Sequence, residues 1–249
     1  LAWSMDHIYD VQPGDVYWAA SDVGWVVGHS YIIYGPLLAG ATTMMFEGIP
    51  TWPHAGRFWE IVQKHQVNQF YTAPTAIRAL EAYGLEPLEP YDLSSLKVLG
   101  TVGEPINEEA WHWYHDHVGQ GKCPIVDTWW QTETGRHMIT ALPGAIDLKP
   151  GSATLPFFGI QPALVNEHSD IVDGENSGHL VILDSWPGQA RTIWGDADNL
   201  GTPEWRGDID RFTSVYFDRW KGGFAYTQGD YARRHDDGSF TLHGRSDDV

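Results

Sequence analysis

The sequence predicts an α/β fold: parallel-sheet α/β layers, followed by a small antiparallel β subdomain. Two features carry that reading. Through about residue 130, short β-rich runs alternate with helical patterns of about three turns, the signature of βαβ units. Beyond about Pro150 only short strands remain, separated by Gly/Asp turns such as Asp173-Gly174 and Asp237-Gly238. The boundaries follow as 1–150 for the α/β part, 151–243 for the β-rich part, and 244–249 as a terminal segment.

The elements follow in chain order. Asp15–Ala20 is the first strand, Ser30–Leu38 a helix and Ala41–Phe46 the second strand. In the helix Ala55–Gln66, Phe58, Ile61, Val62 and His65 recur at helical spacing and turn one face to a core. Asn68–Thr72 is a strand. Pro74–Tyr83 is a helix with Pro74 just inside its start, where a missing N–H costs nothing. Leu96–Thr101 and Pro124–Thr128 are strands flanking a helix over Asn107–Val118. Asn107 is placed to cap that helix, and Glu108 and Glu109 suit the dipole of its first turn. The later strands are Ile160–Val165, His179–Leu183, Gly223–Thr227 and Ser239–His243, with no helix expected between them. Trp194–Trp220, rich in Asp, Gly and Arg, reads as a surface loop.

Composition excludes several classes. Lys and Arg number 15 against 33 Asp and Glu, a net charge of −18, and no basic stretch suits nucleic acid. The single cysteine, Cys123, cannot form an internal disulfide, so a reducing cytoplasmic setting is expected. Val23–Phe46 lacks charged residues over a length that could span a bilayer. Gly24, Gly28, Gly35, Pro36 and Gly40 interrupt it, and no basic cluster flanks it, so a buried helix and strand are expected and no membrane association. No signal peptide is visible, and a chain opening with Leu1 reads as a piece of a longer protein.

Ligands of open parallel sheets bind beyond the carboxyl ends of the strands. Gly100-Thr101-Val102-Gly103-Glu104-Pro105 stands at one such end; its glycines would let a backbone approach a flat ligand, although an ordinary strand-to-helix turn has the same composition. Asp127-Thr128-Trp129-Trp130-Gln131-Thr132-Glu133-Thr134-Gly135 stands at another, a poor strand and a poor helix. Its tryptophans offer an aromatic wall, Thr128 and Thr132 hydroxyls, and Glu133 a carboxylate for Mg²⁺ beside a phosphate. The bland alternative is a wet loop with a half-buried aromatic pair. Near the end, Asp230 after Gly229 suits a ribose diol, and Arg245 a phosphate or ribose oxygen; both sites also read as simple β-turns.

Two other constellations are weaker. His112, His115 and His117 fall within six positions, but on a helix His117 leaves the face that His112 and His115 share, so a solvated amphipathic helix is simpler than a metal site. Ser30 and Ser185 lack the Gly-x-Ser-x-Gly turn of a hydrolase nucleophile.

Taken together, the chain resembles the AMP-forming acyl-CoA synthetases of the adenylate-forming superfamily, within it the acetyl-CoA and propionyl-CoA synthetases. The resemblance rests on an ordered set: Asp22–Tyr31, Tyr71–Arg78, Val102–Pro105, Trp129–Gly135, Leu183–Arg191 and Gly244–Val249. It implies the large N-terminal domain of these enzymes. There, a carboxylate attacks the α-phosphate of Mg·ATP to give an acyl-adenylate and pyrophosphate, and CoA thiolate then displaces AMP. By this resemblance Gly103, Glu104 and Pro105 line the adenine and ribose site. Asp127, Thr128, Trp129, Trp130, Gln131 and Thr132 embrace the adenine and α-phosphate, with Thr132 and Glu133 in catalytic roles and Glu133 also a Mg²⁺ ligand. Asp230 holds the ribose, and Arg245 the ribose or phosphate. Val26, Val27, Val102 and Trp130 form the acyl pocket, Val27 and Thr51 lie near the CoA path, and Asp247 is the hinge.

The expected phosphate-wrapping loop would precede Leu1, and the small C-terminal domain with its catalytic lysine would follow Val249, so the chain alone is expected to bind nucleotide weakly and turn over slowly. Trp130 suits acetate, whereas the Val26-Val27 pair resembles propionate enzymes, and one methylene is discriminated by only about 1–3 kcal/mol. The length of Trp194–Trp220 points to a divergent member, such as part of a multidomain synthase acting on 3-hydroxypropionate. A nucleotide-binding module without catalysis is the alternative function, and small molecules (short-chain carboxylate, ATP, CoA) are the expected partners.

Overall fold

The computed structural model describes residues 1–246, apart from the side chain of Gln228. Among these, one sheet comprises β1 (Val16–Ala20), β2 (Thr42–Thr43), β3 (Gln69–Thr72), β4 (Val98–Val102), β5 (Ile125–Trp129) and β6 (Ile139–Thr140), in the order β2-β1-β3-β4-β5-β6. All neighbours pair in parallel except β6, which is antiparallel to β5. Period-two alternation sorts the side chains. Trp18, Phe70, Leu99 and Ile125 join one apolar cluster with α3 (Arg57–His65), α4 (Pro74–Glu81) and α5 (Glu108–Trp113). Tyr17, Tyr71 and Val126 face the other way, into a cluster with α1 (Ala2–Tyr9).

The second sheet is antiparallel throughout: β7 (Pro162–Val165), β8 (Ile171–Val172), β9 (Asn176–Ile182), β10 (Tyr226–Arg234) and β11 (Phe240–Arg245), ordered β11-β10-β9-β7-β8. A linking segment stitches the sheets together. The N–H groups of Thr140 and Phe157 donate between β6 and this segment (3.0 and 2.8 Å), and that of Phe240 donates to Thr154 (2.8 Å). One cluster, including Val126, Ile139, Phe157, Leu164 and Phe240, runs through both, so the β-rich part shares its core with the α/β part.

Several expectations change. Ala2–Tyr9 is a helix, buried through Met5, Ile8 and Tyr9, that the sequence reading leaves unassigned. Ala41–Phe46 shrinks to β2 at the sheet edge. Ser30–Leu38 splits into a π-type helix over Gly28–Tyr34 and α2 (Gly35–Leu38). Pro36 lacks the N–H that would bond the Ile32 carbonyl, and the Thr43 hydroxyl donates to that carbonyl instead. Gly28 is required there: a Cβ would stand 2.4 Å from the Val23 backbone. The charge-free stretch is thereby divided, and no helix among the described residues is long and apolar enough to cross a membrane. The α5 pattern likewise ends in a π-type turn over Tyr114–Val118, and Asn107, though at the N-cap, is exposed and makes no capping bond.

The largest correction concerns Trp194–Trp220, which contains α6 (Ile209–Tyr216) and is not simply a loop. Asp208 Oδ1 accepts from the Arg211 N–H (3.0 Å), an N-cap bond, and Phe212 is the buried anchor. β10 also begins later and runs further than Gly223–Thr227: Gln228-Gly229-Asp230 continues as strand through an irregularity between Thr227 and Tyr231, not as a turn.

Candidate active site

The parallel strands end together, and the residues just past them line a cavity of about 760 Å³. Ser21 follows β1, Ala73 follows β3, Gly103 follows β4 and Trp130 follows β5. Val26, Val27 and Val102 form an apolar side with Trp130. Gln131, Thr132 and Glu133 line it from a 3₁₀ turn, Arg245 from β11, and Val215, Tyr216 and Arg219 from α6 and the residues after it. A second cavity, of about 370 Å³, is lined by Glu104, Pro105, Asp127, Thr128, Trp129 and Asp230 among others. The two share Gly103, Trp130, Gln131 and Arg245 as a common wall. The expected adenosine and acyl residues are thus brought side by side. Thr51, in the turn after β2, lines neither cavity. Asp247 lies outside the described residues.

The polar contacts hold this wall. Asp230 Oδ2 accepts from Trp129 Nε1 (2.9 Å) and Gln131 Nε2 (2.8 Å), while Arg245 Nη1 lies 3.9 Å from Asp230 Oδ1. Gln131 also closes a reciprocal cap with Thr134 over the turn Thr132–Thr134. Gly229 has φ +81°, and a Cβ there would meet Arg245 Nη2 at 2.8 Å, so this glycine lets the guanidinium lie across the strand.

Burial governs the carboxylates. Asp127 is buried; desolvation pushes its carboxyl up to about 6, against the opposing bonds from Thr101 Oγ1 (2.6 Å) and the Thr128 N–H. Burial would also raise Glu104, but the Thr75 hydroxyl, Arg78 guanidinium (2.8 Å) and Thr75 N–H (2.7 Å) overcome it and hold the carboxyl below its usual range. Both Glu104 oxygens are therefore engaged by the first turns of α4. Glu133 Oε1 accepts from Tyr216 Oη (2.7 Å); burial, then this bond, raise the phenol.

Glu133 offers the cavity a single carboxylate, which fits Mg²⁺, since that ion takes oxygen ligands and commonly uses one or two carboxylates together with substrate phosphates. Among the described residues, no group of three His, Cys, Asp or Glu side chains is arranged to hold a metal ion. The His112–His117 segment is engaged locally: His115 stacks on Trp111 (5.1 Å) and pairs with Asp116 (2.7 Å).

Tyr216, Val215 and Arg219 are cavity residues that the sequence reading misses. The available signal was the Asp208 cap with Ile209, Phe212 and Tyr216 at helical spacing.

A two-part cleft at the carboxyl ends of a parallel sheet, with apolar and hydrogen-bonding groups in its walls, defines a small-molecule-binding α/β protein. Residues 1–191 match the family described as AMP-binding enzyme, and the chain belongs to that family. It is 58% identical over 250 residues to the acetyl-coenzyme A synthetase of Rhodobacter capsulatus and 56% identical over 248 residues to that of Saccharophagus degradans. The acetyl-coenzyme A synthetase of Sodalis glossinidius is 57% identical over 248 residues. Each alignment covers 100% of this chain but 36% of the relative, so the chain spans about a third of the length of the curated relatives it matches. The family match ends before Asp230 and Arg245, which the alignments to these relatives include.

Proposed function

We propose that this chain supplies the acyl pocket and adenosine site of an AMP-forming acetyl-CoA synthetase acting in the cytoplasm. An acetate oxygen attacks the α-phosphorus of ATP, pyrophosphate leaves, and CoA thiolate then attacks the acyl carbon to release AMP. The observation that carries the reading is the shared wall: in one cleft, the apolar patch of Val26, Val27 and Val102 and the hydrogen-bonding groups around Asp230 meet at Trp130 and Gln131.

In this reading Gly103, Glu104 and Pro105 flank the adenine with Asp127, Thr128, Trp129 and Gln131. Asp230 and Arg245 hold the ribose and phosphate side. Thr132 bonds the α-phosphate, and Glu133 holds the Mg²⁺ that accompanies ATP and neutralises phosphate charge. Val26, Val27, Val102 and Trp130 enclose the methyl group of acetate; the CoA path runs past Val27 and Thr51, and Asp247 is the hinge. Acetate is preferred to propionate or 3-hydroxypropionate because each of the relatives above is an acetyl-coenzyme A synthetase. The share of those relatives that the chain spans supports a further proposal: other parts of the full-length protein contribute the remaining phosphate and lysine contacts, and the chain alone acts as a nucleotide binder. Buried, unpaired Cys123 fits the reducing compartment.

Calorimetric titration of the full-length gene product with ethyl-AMP and propyl-AMP tests the reading. Ethyl-AMP should bind more tightly, and Asp230→Ala should abolish both signals. Absence of binding to either ester by the folded wild type would refute it.

A further inference from the structure

Trp130 forms part of the wall of both cavities, and its indole is held by a directed chain of hydrogen bonds. Trp130 Nε1, which can only donate, points to Tyr71 Oη (3.1 Å). Tyr71 Oη lies 2.7 Å from Thr128 Oγ1, and Thr128 Oγ1 donates to the Thr101 carbonyl (2.7 Å). Because the carbonyl only accepts, the Thr128 proton is committed to it, so the Tyr71 proton is committed to Thr128. The Tyr71 oxygen then accepts from the indole N–H, beside the Tyr9 hydroxyl. Every proton in the chain has one place to go.

Tyr71 itself is fully buried and cannot drift. Its ring lies over Gly100, where a Cβ would stand 2.6 Å from Tyr71 Cδ2, and meets Tyr9 edge to face at 5.5 Å. The other neighbours of Trp130 are less directional. Tyr31 and His137, stacked on each other at 4.1 Å, present their rings nearly perpendicular to the indole at 5.1 and 5.3 Å. Such contacts fill space and permit tilting. Burial, reinforced by Arg136, keeps His137 neutral, so it does not compete for the indole as a charge.

We infer that Tyr71, which lines neither cavity, is a positioning residue for acyl-chain selectivity: its hydroxyl pins the Trp130 indole and thereby sets the depth of the acyl pocket. This rests on the proposed reading of Trp130 as the pocket wall. Without the Tyr71 oxygen, the buried indole N–H loses its acceptor and the ring turns toward cavity water, so the slot no longer has one depth.

Tyr71→Phe in the full-length gene product tests this, with ATP-dependent pyrophosphate release measured for acetate, propionate and butyrate. The ratio of kcat/KM for acetate to that for propionate should move toward one by about tenfold, the scale on which an apolar pocket discriminates a methylene. The ratio is internal to each preparation, so partial unfolding cancels. A merely structural role would lower kcat/KM for all three acids in parallel; a ratio within twofold of wild type would overturn the inference and leave the proposed function standing. Should Tyr71→Phe give no soluble protein, Thr128→Val, which removes the acceptor of the Tyr71 proton, should move the ratio in the same direction, and an unmoved ratio there overturns it equally. A folded wild type that activates none of the three acids refutes the proposed function, and the inference with it.

Discussion

Asp127→Asn should remove a pH dependence of stability that the wild type carries between pH 5 and pH 8. Burial lifts the Asp127 carboxyl from its ordinary 3.8 to about 6. A carboxyl whose folded-state pKa is raised binds its proton more tightly in the native chain than in the unfolded one. Its contribution is therefore complete below pH 3.8 and is lost as pH rises through about 6. The shift amounts to about 3 kcal/mol over the full range, at about 1.4 kcal/mol for each pH unit. Half or more of that loss falls below pH 5, where the unfolded carboxyl is already ionised, which leaves about 1–1.5 kcal/mol between pH 5 and pH 8. Asparagine keeps an acceptor for Thr101 Oγ1 and cannot ionise. Urea unfolding of wild type and variant at both pH values isolates the effect, because every other titrating group cancels in the difference of differences. Parallel loss of stability in the two proteins would show that Asp127 ionises in the usual carboxylate range, and the burial argument would fail.

Gly229→Ala should destabilise the chain by about 1–2 kcal/mol, since alanine must adopt a positive φ and displace the Arg245 guanidinium; urea unfolding reads the loss, and AMP-ester titration should show weaker binding in the same variant. Asp230→Ala leaves Trp129 Nε1 and Gln131 Nε2 without this acceptor, so about 1–3 kcal/mol of stability should go with the nucleotide site. Tyr216→Phe deprives Glu133 of a hydrogen-bond donor. The Mg²⁺ concentration for half-maximal pyrophosphate release should rise by about threefold to tenfold, with the acetate KM unchanged; the converse pattern would place Tyr216 with the acyl group and not with the metal.

The sheet was legible because its determinants are local. Tyr17-Trp18 and Phe70-Tyr71 place large side chains on both faces of a strand, as a sheet covered on each side requires, and the helices between carry a single apolar face. The misreadings arise where tertiary contacts override local pattern. Val23–Phe46 has helical composition, but Gly28 must lie against the Val23 backbone, and Pro36 exchanges a helical bond for the Thr43 hydroxyl. α6 was hidden for another reason: its turn-rich, charged flanks dominate the segment, and its buried face is essentially Phe212.

The site divides along the same line. Residues that sit past a strand end, such as Gly103 and Trp130, can be read from the chain because strand direction and turn chemistry are encoded within a few positions. The roles of Tyr71 and Tyr216 cannot, since their partners lie 59 and 83 residues away: Tyr71 opens the Tyr71–Arg78 motif without showing which group it bonds, and Tyr216 belongs to no motif. A hydroxyl on an aromatic ring looks in sequence like core filling, and both tyrosines do pack as core: Tyr71 against Tyr9, Tyr216 stacked on Tyr226 at 5.4 Å. What distinguishes them is the direction of one proton, which only the assembled fold determines. The wall between the two cavities is therefore held from behind by groups whose role the local sequence does not reveal. Substitutions at these two positions should alter selectivity or metal dependence while every residue that lines the two cavities, apart from Tyr216 itself, stays in place.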